Sequence, residues 1–176
     1  MTRSLFFALA AVAVAGCSSF QPVQRAEQPP LQAVESVDLA RYRGLWHEQA
    51  RLPNWFERGC VAATATYTER PDGLIGVRNV CTKADGGTED AVGRARVVDA
   101  VSNAKLKVSF FGPFWGDYWV IDLAPDYSWV IVGEPSGRYL WVLTRAPAID
   151  AGQKADFLAR IAAKGYRTDR LIWNGA

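Results

Sequence analysis

Residues 42–51 read Tyr42-Arg43-Gly44-Leu45-Trp46-His47-Glu48-Gln49-Ala50-Arg51 and carry the strongest indication of the fold. Gly44 lets the backbone turn sharply as it enters a strand, because glycine adopts conformations that other residues avoid. Strand alternation then predicts Trp46, Glu48 and Ala50 on one face and His47, the only histidine, on the other. A Gly-x-Trp pair alone is a weak signal, so its weight depends on the elements that follow.

Eight short runs of β-branched and aromatic residues follow one another along the chain. Turn signals rich in glycine, proline and aspartate separate them, which is typical of an antiparallel meander. Eight strands in this order suit an up-and-down barrel, which closes on itself and leaves no free sheet edge. The predicted strands cover residues 45–51, 61–69, 74–82, 88–98, 104–111, 118–123, 128–132 and 139–144.

A helix is predicted after the last of these strands. Asp150 is a good N-cap, and Gln153 stands where it can complete a capping box. Apolar residues then recur at helical spacing until Gly165 ends the helix. One apolar stripe indicates a helix packed on the outside of the barrel, and residues 170–173 form a short final strand.

Three short motifs match those that lipocalins carry at the closed end of their barrel. They are Gly44 with Trp46, Asp126 with Tyr127, and Arg145 after the eighth strand. The chain therefore resembles the lipocalin family. The resemblance implies that Arg145 lies over the face of Trp46, where a cation–π contact would have a structural role.

Longer matches extend the resemblance to bacterial outer-membrane lipocalins. Residues 51–60 are similar to their first loop, which folds across the barrel mouth, and residues 106–114 with 139–143 are the most specific match. Pro125 departs from the threonine that more often precedes the second motif. The resemblance covers residues 37–173 and implies an all-β fold, an eight-stranded antiparallel up-and-down β-barrel with a C-terminal α-helix and a short final strand.

The N-terminus has the features of a secretory signal. An apolar run over residues 5–14 follows Arg3 and is shorter than the roughly 20 residues that a membrane-spanning helix needs. We therefore predict a signal peptide over residues 1–16. Residues 17–36 are polar and contain three prolines, which predicts a flexible tether with no core of its own. The lipocalin domain then spans residues 37–176.

Cys17 ends a Val-Ala-Gly-Cys stretch that resembles a bacterial lipobox. The resemblance implies that Cys17 becomes the mature N-terminus and carries a diacylglyceryl group and a further acyl chain such as palmitate. Several acyl chains hold a protein on a membrane where a single one does not. Ser18 implies the outer membrane, so the protein would sit on the inner leaflet and face the periplasm. The alternative is an ordinary signal peptide with a chance cysteine.

Two cysteines remain once Cys17 is assigned to the lipid. Cys60 and Cys81 flank the turn at residues 70–73, so a hairpin there brings them to about the same level. The periplasm is oxidising, which predicts a disulfide that closes a loop of about 20 residues and stabilises the fold by about 3 kcal/mol. A redox or metal pair is the alternative, although CxxC spacing and a neighbouring histidine are missing.

Composition and motifs argue against several classes of function. The formal net charge is +2, so no basic field would recruit nucleic acid. A single histidine excludes a histidine metal cluster. The sequence has neither a nucleophile elbow nor a phosphate loop. We therefore predict a protein that is not an enzyme and has neither a metal nor a cofactor.

Strand alternation predicts which side chains line the barrel. Small residues on one wall face bulky aromatic residues on the other, which favours a cavity, since a barrel of this size either holds one small ligand or is filled by side chains. The filled barrel is the alternative. The predicted ligand-binding residues are Glu48, Ala63, Ala65, Tyr67, Val77, Asn79, Ala91, Val108, Phe110, Tyr118, Trp129, Tyr139 and Trp141.

These residues and the resemblance together predict a lipid binder. A fatty acid or lysophospholipid would enter the barrel, for lipid storage, transport or membrane maintenance. Glu48 conflicts with a bare carboxylate and so favours a zwitterionic head group. The alternatives are a carrier of a small aromatic or tetrapyrrole ligand and an enzyme that acts on a lipid. Because members of this family form dimers, the resemblance also suggests that the protein forms a homodimer.

Overall fold

The computed structural model describes residues 21–27 and 29–174 and confirms the predicted barrel. The elements are α1 (Leu39–Tyr42), β1 (Gly44–Arg51), β2 (Cys60–Glu69), β3 (Ile75–Lys83), β4 (Thr88–Val97), β5 (Lys105–Ser109), β6 (Gly116–Leu123), β7 (Trp129–Gly133), β8 (Leu140–Thr144), α2 (Ala151–Ala163) and β9 (Ile172–Trp173). Each of the strands β1 to β7 pairs antiparallel with the next, and β8 pairs with β1 to close the barrel. The short β9 pairs with β1 at the end of the sheet order. Within the described residues, no helix is long and apolar enough to cross a membrane.

The barrel has two different ends because antiparallel strands gather alternate loops at the same end. The mouth is the end formed by residues 52–59, 84–87, 110–115 and 134–139. The closed end is formed by α1 and by residues 70–74, 98–104 and 124–128.

Apolar side chains form two clusters, one on each side of the sheet. The inner cluster fills the lower barrel with side chains that include Trp46, Ala65, Val77, Leu106, Val120, Val130, Val132 and Leu143. The outer cluster lies under α2 and includes Ala50, Ile121, Ile131, Val142, Phe157 and Ile161. The predicted capping box begins α2, where the Asp150 side chain accepts from the Gln153 backbone N–H and the Gln153 side chain accepts from Asp150.

Arg145 holds the closed end together. Its Cζ lies 3.7 Å from the centroid of the Trp46 ring, and Trp46 is fully buried. The same guanidinium donates to the carbonyl oxygens of Arg41, Arg43 and Leu45 at 2.7–2.9 Å. Gly44 has φ +94°, a conformation that favours glycine, so the backbone can turn beneath the guanidinium.

The second motif is joined to the same end of the barrel. Tyr127 has φ 63°, and its hydroxyl accepts a 2.8 Å hydrogen bond from the Asp38 backbone N–H at the start of α1. The Arg41 guanidinium lies 4.1 Å from the Tyr127 ring centroid. The Asp126 carboxylate accepts from both the N–H and the hydroxyl of Ser128 and so shapes the turn. Helix α1 is therefore held from two sides.

The predicted inward position of Ala50 is wrong. A bulge between Glu48 and Ala50 shifts the pairing of β1 with β8. An extra residue in a strand reverses the faces of the residues beyond it. Trp46 and Glu48 therefore keep the predicted face, while Ala50 packs in the outer cluster and Arg51 turns toward the Glu48 side chain.

The predicted inward position of Trp129 is also wrong, and Ile131 lies on the same face of β7. Both lie in the outer cluster, where Trp129 packs edge-on against Phe157 of α2 with ring centroids 5.5 Å apart. Val130 and Val132 face the inner cluster instead. The strand is apolar on both faces because one meets the barrel interior and the other meets α2. The sequence of β7 therefore shows no alternation of apolar and polar residues from which the inward face could be predicted. Trp129 is not a candidate ligand contact.

The prediction of a flexible tether over residues 17–36 is wrong for the part that the structure describes. Leu31 is buried in the outer cluster, and the Val34 N–H donates to the Val120 carbonyl at 2.9 Å. Isolated apolar residues among prolines and polar residues are enough to dock this segment on the barrel. The predicted signal peptide and Cys17 lie outside the described residues.

The predicted disulfide between Cys60 and Cys81 is confirmed. The two Cα atoms are 5.4 Å apart and the cysteines are separated by 21 residues. A cross-link over a loop of this length stabilises a fold by about 3 kcal/mol. It joins the mouth ends of β2 and β3 and so fixes one side of the opening.

Replacing Arg145 by lysine tests the contacts of the guanidinium that close the barrel. Lysine keeps the charge but loses the planar group that lies on Trp46 and donates to several carbonyls at once. We expect the free energy of unfolding in urea to fall by about 2 kcal/mol. Arg78→Lys is the matched control, because Arg78 forms an exposed ion pair with Asp90 and should change stability by less than about 0.5 kcal/mol. Equal stability of the two variants would contradict this role.

Candidate functional site

The inner wall of the barrel becomes more accessible toward the mouth. Near the closed end, Tyr67 is 7% and Val77 is 4% exposed. One step higher, Asn79 is half-buried and its cross-strand partner Ala91 is exposed. Ala63 on β2 is also half-buried. These positions make up the accessible upper part of the inner wall, here called the cup, above a packed lower barrel.

Three tyrosines lie below the cup. The Tyr118 hydroxyl is 2.7 Å from the Tyr42 hydroxyl and 2.8 Å from the Tyr67 hydroxyl. Burial raises the pKa of all three, that of Tyr67 to about 12, so each remains a neutral hydroxyl at physiological pH. The triad forms a polar floor that links α1, β2 and β6.

Part of the small-residue wall is occupied by protein. A Cβ atom at Gly93 would lie 2.7 Å from Phe110 Cδ1 and 2.7 Å from the Ser109 carbonyl oxygen. The Phe110 ring therefore fills the space that Gly93 leaves, as the filled-barrel alternative expects at this level. Above it, Ala63, Asn79 and Ala91 stay accessible, so filling stops below the mouth.

A buried charge cluster stands beside the cup. Arg51 is 2% exposed, and its Nη1 donates to Glu48 Oε1 at 2.7 Å and to Asn174 Oδ1 at 2.9 Å. Arg51 Nη2 also donates to the Cys60 carbonyl oxygen at 2.9 Å. Glu57, on the loop after β1, lies 3.8 Å from Arg51 Nε. One arginine thus joins β1, β2, the first mouth loop and the C-terminal segment.

The Glu48 carboxyl group of this cluster has a strongly shifted pKa. Burial, and after it the neighbouring Glu57 carboxylate, raise the pKa of Glu48 to about 8, although Arg51 acts in the opposite direction. Glu48 is therefore mainly protonated at pH 7. Arg51 and Glu57 then balance each other, so the cluster presents little net charge to the cup.

Two buried polar atoms have no hydrogen-bond partner among the described residues at this level. They are the donor Arg51 Nε and the acceptor Asn79 Oδ1. An unpartnered buried polar atom is unfavourable, so such atoms mark places where a ligand or a water completes the bonding. Asn79 shares the inward face with Ala65 and Ala91.

Aromatic side chains line the mouth beside the charge cluster. Tyr139 and Trp141 stack with ring centroids 5.9 Å apart and planes 10° apart. Phe56, from the first mouth loop, lies 5.8 Å from Tyr139 and 6.3 Å from Trp141. Trp141 Nε1 donates to Glu57 Oε2 at 3.1 Å, which holds the first mouth loop against β8, the strand beside β1.

The structure brings together most of the predicted inward residues. Trp129 is the one predicted ligand-binding residue that lies on the outer side of the sheet. Those on the inner side are Glu48, Ala63, Ala65, Tyr67, Val77, Asn79, Ala91, Val108, Phe110, Tyr118 and Trp141, with Tyr139 at the mouth. Among residues 21–27 and 29–174, no group of three or more His, Cys, Asp or Glu side chains is placed to hold a metal ion.

Four residues of the site were not predicted. Arg51 faces inward because the β1 bulge reverses its face, and Tyr42 belongs to a helix of four residues that no periodicity indicates. Glu57 and Phe56 lie on a loop, where strand alternation does not apply. The conflict noted at Glu48 was the one available signal, because a buried carboxyl group needs a partner such as arginine.

Curated proteins similar to the chain are named as lipoproteins and lipocalins. The chain is 40% identical over 167 residues to Outer membrane lipoprotein Blc of Escherichia coli, across 94% of this chain and 92% of that protein. It is 36% identical over 173 residues to the protein of the same name from Vibrio cholerae, across 97% of each. Temperature-induced lipocalin-1 of Arabidopsis thaliana is 34% identical over 154 residues, across 82% of each.

A solved structure supports the fold independently. Insecticyanin from the tobacco hornworm Manduca sexta superposes with a TM-score of 0.67 at 22% identity, across 84% of this chain and 85% of that chain. The family model described as a lipocalin-like domain matches residues 37–176. The motifs, the barrel and these matches agree, and the chain belongs to the lipocalin family.

Proposed function

We propose that the protein binds one molecule of a single-chain lipid, a fatty acid or a lysophospholipid, in the cup. The observation that carries this proposal is the gradient of the inner wall, from packed apolar side chains above the tyrosine floor to accessible Ala63 and Ala91 at the mouth. Each methylene buried there contributes about 0.8 kcal/mol. The packed lower barrel favours one chain over two.

The mouth favours a zwitterionic head group. Arg51 Nε can donate to a phosphate oxygen, and Asn79 Oδ1 can accept from a hydroxyl or ammonium group. The faces of Tyr139 and Trp141 suit an ammonium group, which aromatic rings attract. A protonated Glu48 adds no opposing charge. These contacts support a lysophospholipid over a free fatty acid.

We further propose that the protein is a lipoprotein of the outer membrane, held by acyl chains on Cys17 and facing the periplasm. The relatives named outer membrane lipoproteins in Escherichia coli and Vibrio cholerae support this location, as does the signal-like sequence before Cys17. A lipid carrier beside a membrane suits lipid storage, transport or membrane maintenance.

The stacked Tyr139 and Trp141 rings also support a second candidate, a carrier of a flat aromatic or tetrapyrrole molecule. An enzyme acting on lipid has less support. Glu48, the carboxyl group nearest the cup that could act as a base, is held by Arg51 and Asn174. A carboxyl group that is protonated and fully engaged is poorly placed to remove a proton.

Filling the cup should abolish lipid binding. In Ala63→Trp, an indole on the inner face of β2 would occupy the cup, and we expect the affinity for lysophosphatidylethanolamine to fall at least tenfold, the loss of about two buried methylenes. Ala62→Trp is the matched control, because Ala62 is the exposed neighbour on the outer face. Native mass spectrometry and tryptophan quenching measure binding. Wild-type protein without bound lipid would contradict the proposal, and a coloured protein would favour the second candidate.

The pKa of Glu48 predicts how fatty acid binding depends on pH. Below about pH 8, Glu48 is protonated, and above it the site gains one negative charge that repels a fatty acid carboxylate. Affinity for palmitate should fall about fivefold, or about 1 kcal/mol, from pH 7 to pH 9. Glu48→Gln should remove this dependence, and Glu69→Gln at the exposed Arg43 pair should keep it. An unchanged slope in Glu48→Gln would assign the effect to another group.

Cell fractionation tests the anchor. Cys17→Ser should release the protein from the outer membrane into the soluble periplasm, because the acyl chains would be lost. Ser19→Ala is the matched control and should remain in the membrane fraction. Membrane association of Cys17→Ser, or a soluble wild-type protein, would contradict lipidation at Cys17.

A further inference from the structure

The N-terminal segment reaches the barrel at the mouth. The Arg138 Nε donates to the Gln21 carbonyl oxygen at 2.9 Å, and the Gln21 side chain donates to the Pro53 carbonyl oxygen. Pro53 and Arg138 belong to two different mouth loops. Gln21, the first residue that the structure describes, therefore lies at the rim of the opening.

The short distance along the chain from Cys17 to Gln21 limits how the barrel can face the membrane. Four residues span at most about 14 Å. The eight residues of β1 run from the closed end to the mouth and cover roughly 20 Å along the axis of a barrel with tilted strands. A lipid on Cys17 can thus hold the mouth near the bilayer, while the closed end cannot be brought to the same surface with the barrel upright.

Exposed aromatic side chains occur at this end of the barrel. Trp55 is 64%, Phe56 is 47%, Phe111 is 69% and Phe114 is 76% exposed. They lie on the mouth loops at residues 52–59 and 110–115, and the other aromatic residues of the described chain are at least partly buried. Exposed aromatic groups clustered at one end of a molecule mark an interaction surface.

The charges around these rings point to an apolar partner. The loop at residues 110–115 contains no charged residue. On the loop at residues 52–59, Glu57 is turned inward to Trp141 and Arg51, which leaves Arg58 exposed. The Arg94 and Arg96 guanidiniums beside the second loop lie on the Trp115 ring, whereas a surface that attracts anionic lipid presents a cluster of free cations. Tryptophan and phenylalanine side chains on loops with few charged residues are suited to enter the interface of a bilayer.

We propose that the mouth docks on the bilayer that carries the Cys17 lipid, with Trp55, Phe56, Phe111 and Phe114 inserted into the interfacial region. The orientation rests on the lipidation proposed above, whereas the aromatic surface does not depend on it. Docking in this direction brings the cup against the leaflet, so a single-chain lipid passes between membrane and barrel without crossing water.

Vesicle flotation tests the aromatic surface without the anchor. Full-length Cys17→Ser protein should float weakly with vesicles of phosphatidylethanolamine and phosphatidylglycerol, with little change on raising the salt concentration. Adding Phe114→Ser should reduce the bound fraction about tenfold. Val101→Ser is the matched control, because Val101 is 95% exposed at the closed end, and it should bind as before. Equal binding of the two variants would overturn the proposal.

Depth-dependent quenching tests the orientation of the native lipidated protein. Lipids brominated along their acyl chains should quench a tryptophan fraction that Trp55→Phe removes, whereas Trp129→Phe, near the closed end, should leave it unchanged. Quenching without dependence on Trp55 would overturn mouth-first docking even if Cys17 is lipidated.

The experiments together separate the two proposals. If cell fractionation shows that Cys17 carries no lipid while flotation still depends on Phe114, the lipoprotein proposal is wrong and the aromatic surface is supported. If Phe114→Ser changes sedimentation in place of flotation, the surface joins two copies of the chain and bilayer docking is wrong.

Discussion

The packing of the Arg145 guanidinium on Trp46 is the interaction on which the rest of the structure depends. One planar cation covers the indole and also donates hydrogen bonds to three carbonyl oxygens in and after α1. Arg41 lies in the last turn of α1 and Arg43 follows it, where carbonyl oxygens have no partner within the helix, and Leu45 lies at the start of β1. The contact thereby joins α1, β1 and the residue after β8 at one point, and it closes that end of the barrel.

Closure at one end explains why the other end can be open. With the tyrosine triad as a floor and Phe110 packed over Gly93, the lower barrel is stable without a guest. The upper barrel can then leave apolar surface and unpartnered polar atoms near the opening. The disulfide and the Arg51 cluster hold that opening in shape. The closed end is the rigid part of the barrel, and the proposed binding function belongs to the mouth.

Sequence patterns predicted the barrel because its signals are local: alternating strands, turn residues and the three motifs. They failed where tertiary structure changes the pattern. A bulge after Glu48 moved Ala50 outward and Arg51 inward, and burial on two sides removed the alternation that would have placed Trp129 correctly. Most of the inner wall was predictable because its residues lie on regular strands. The charge cluster was not, because Glu57 comes from a loop whose path depends on the finished barrel.

In the proposed complex, the acyl chain enters through the mouth and ends above the tyrosine floor. A lysophospholipid with a diazirine at the end of its acyl chain measures this directly, because the cross-linked residue can be mapped by mass spectrometry. We expect labelling of inward residues of β2 to β5, near Ala65 and Val108, with little labelling of Ala63→Trp. Labelling on the outer side of the sheet, near Phe157 of α2, or an unlabelled barrel in a protein that binds the lipid, would contradict it.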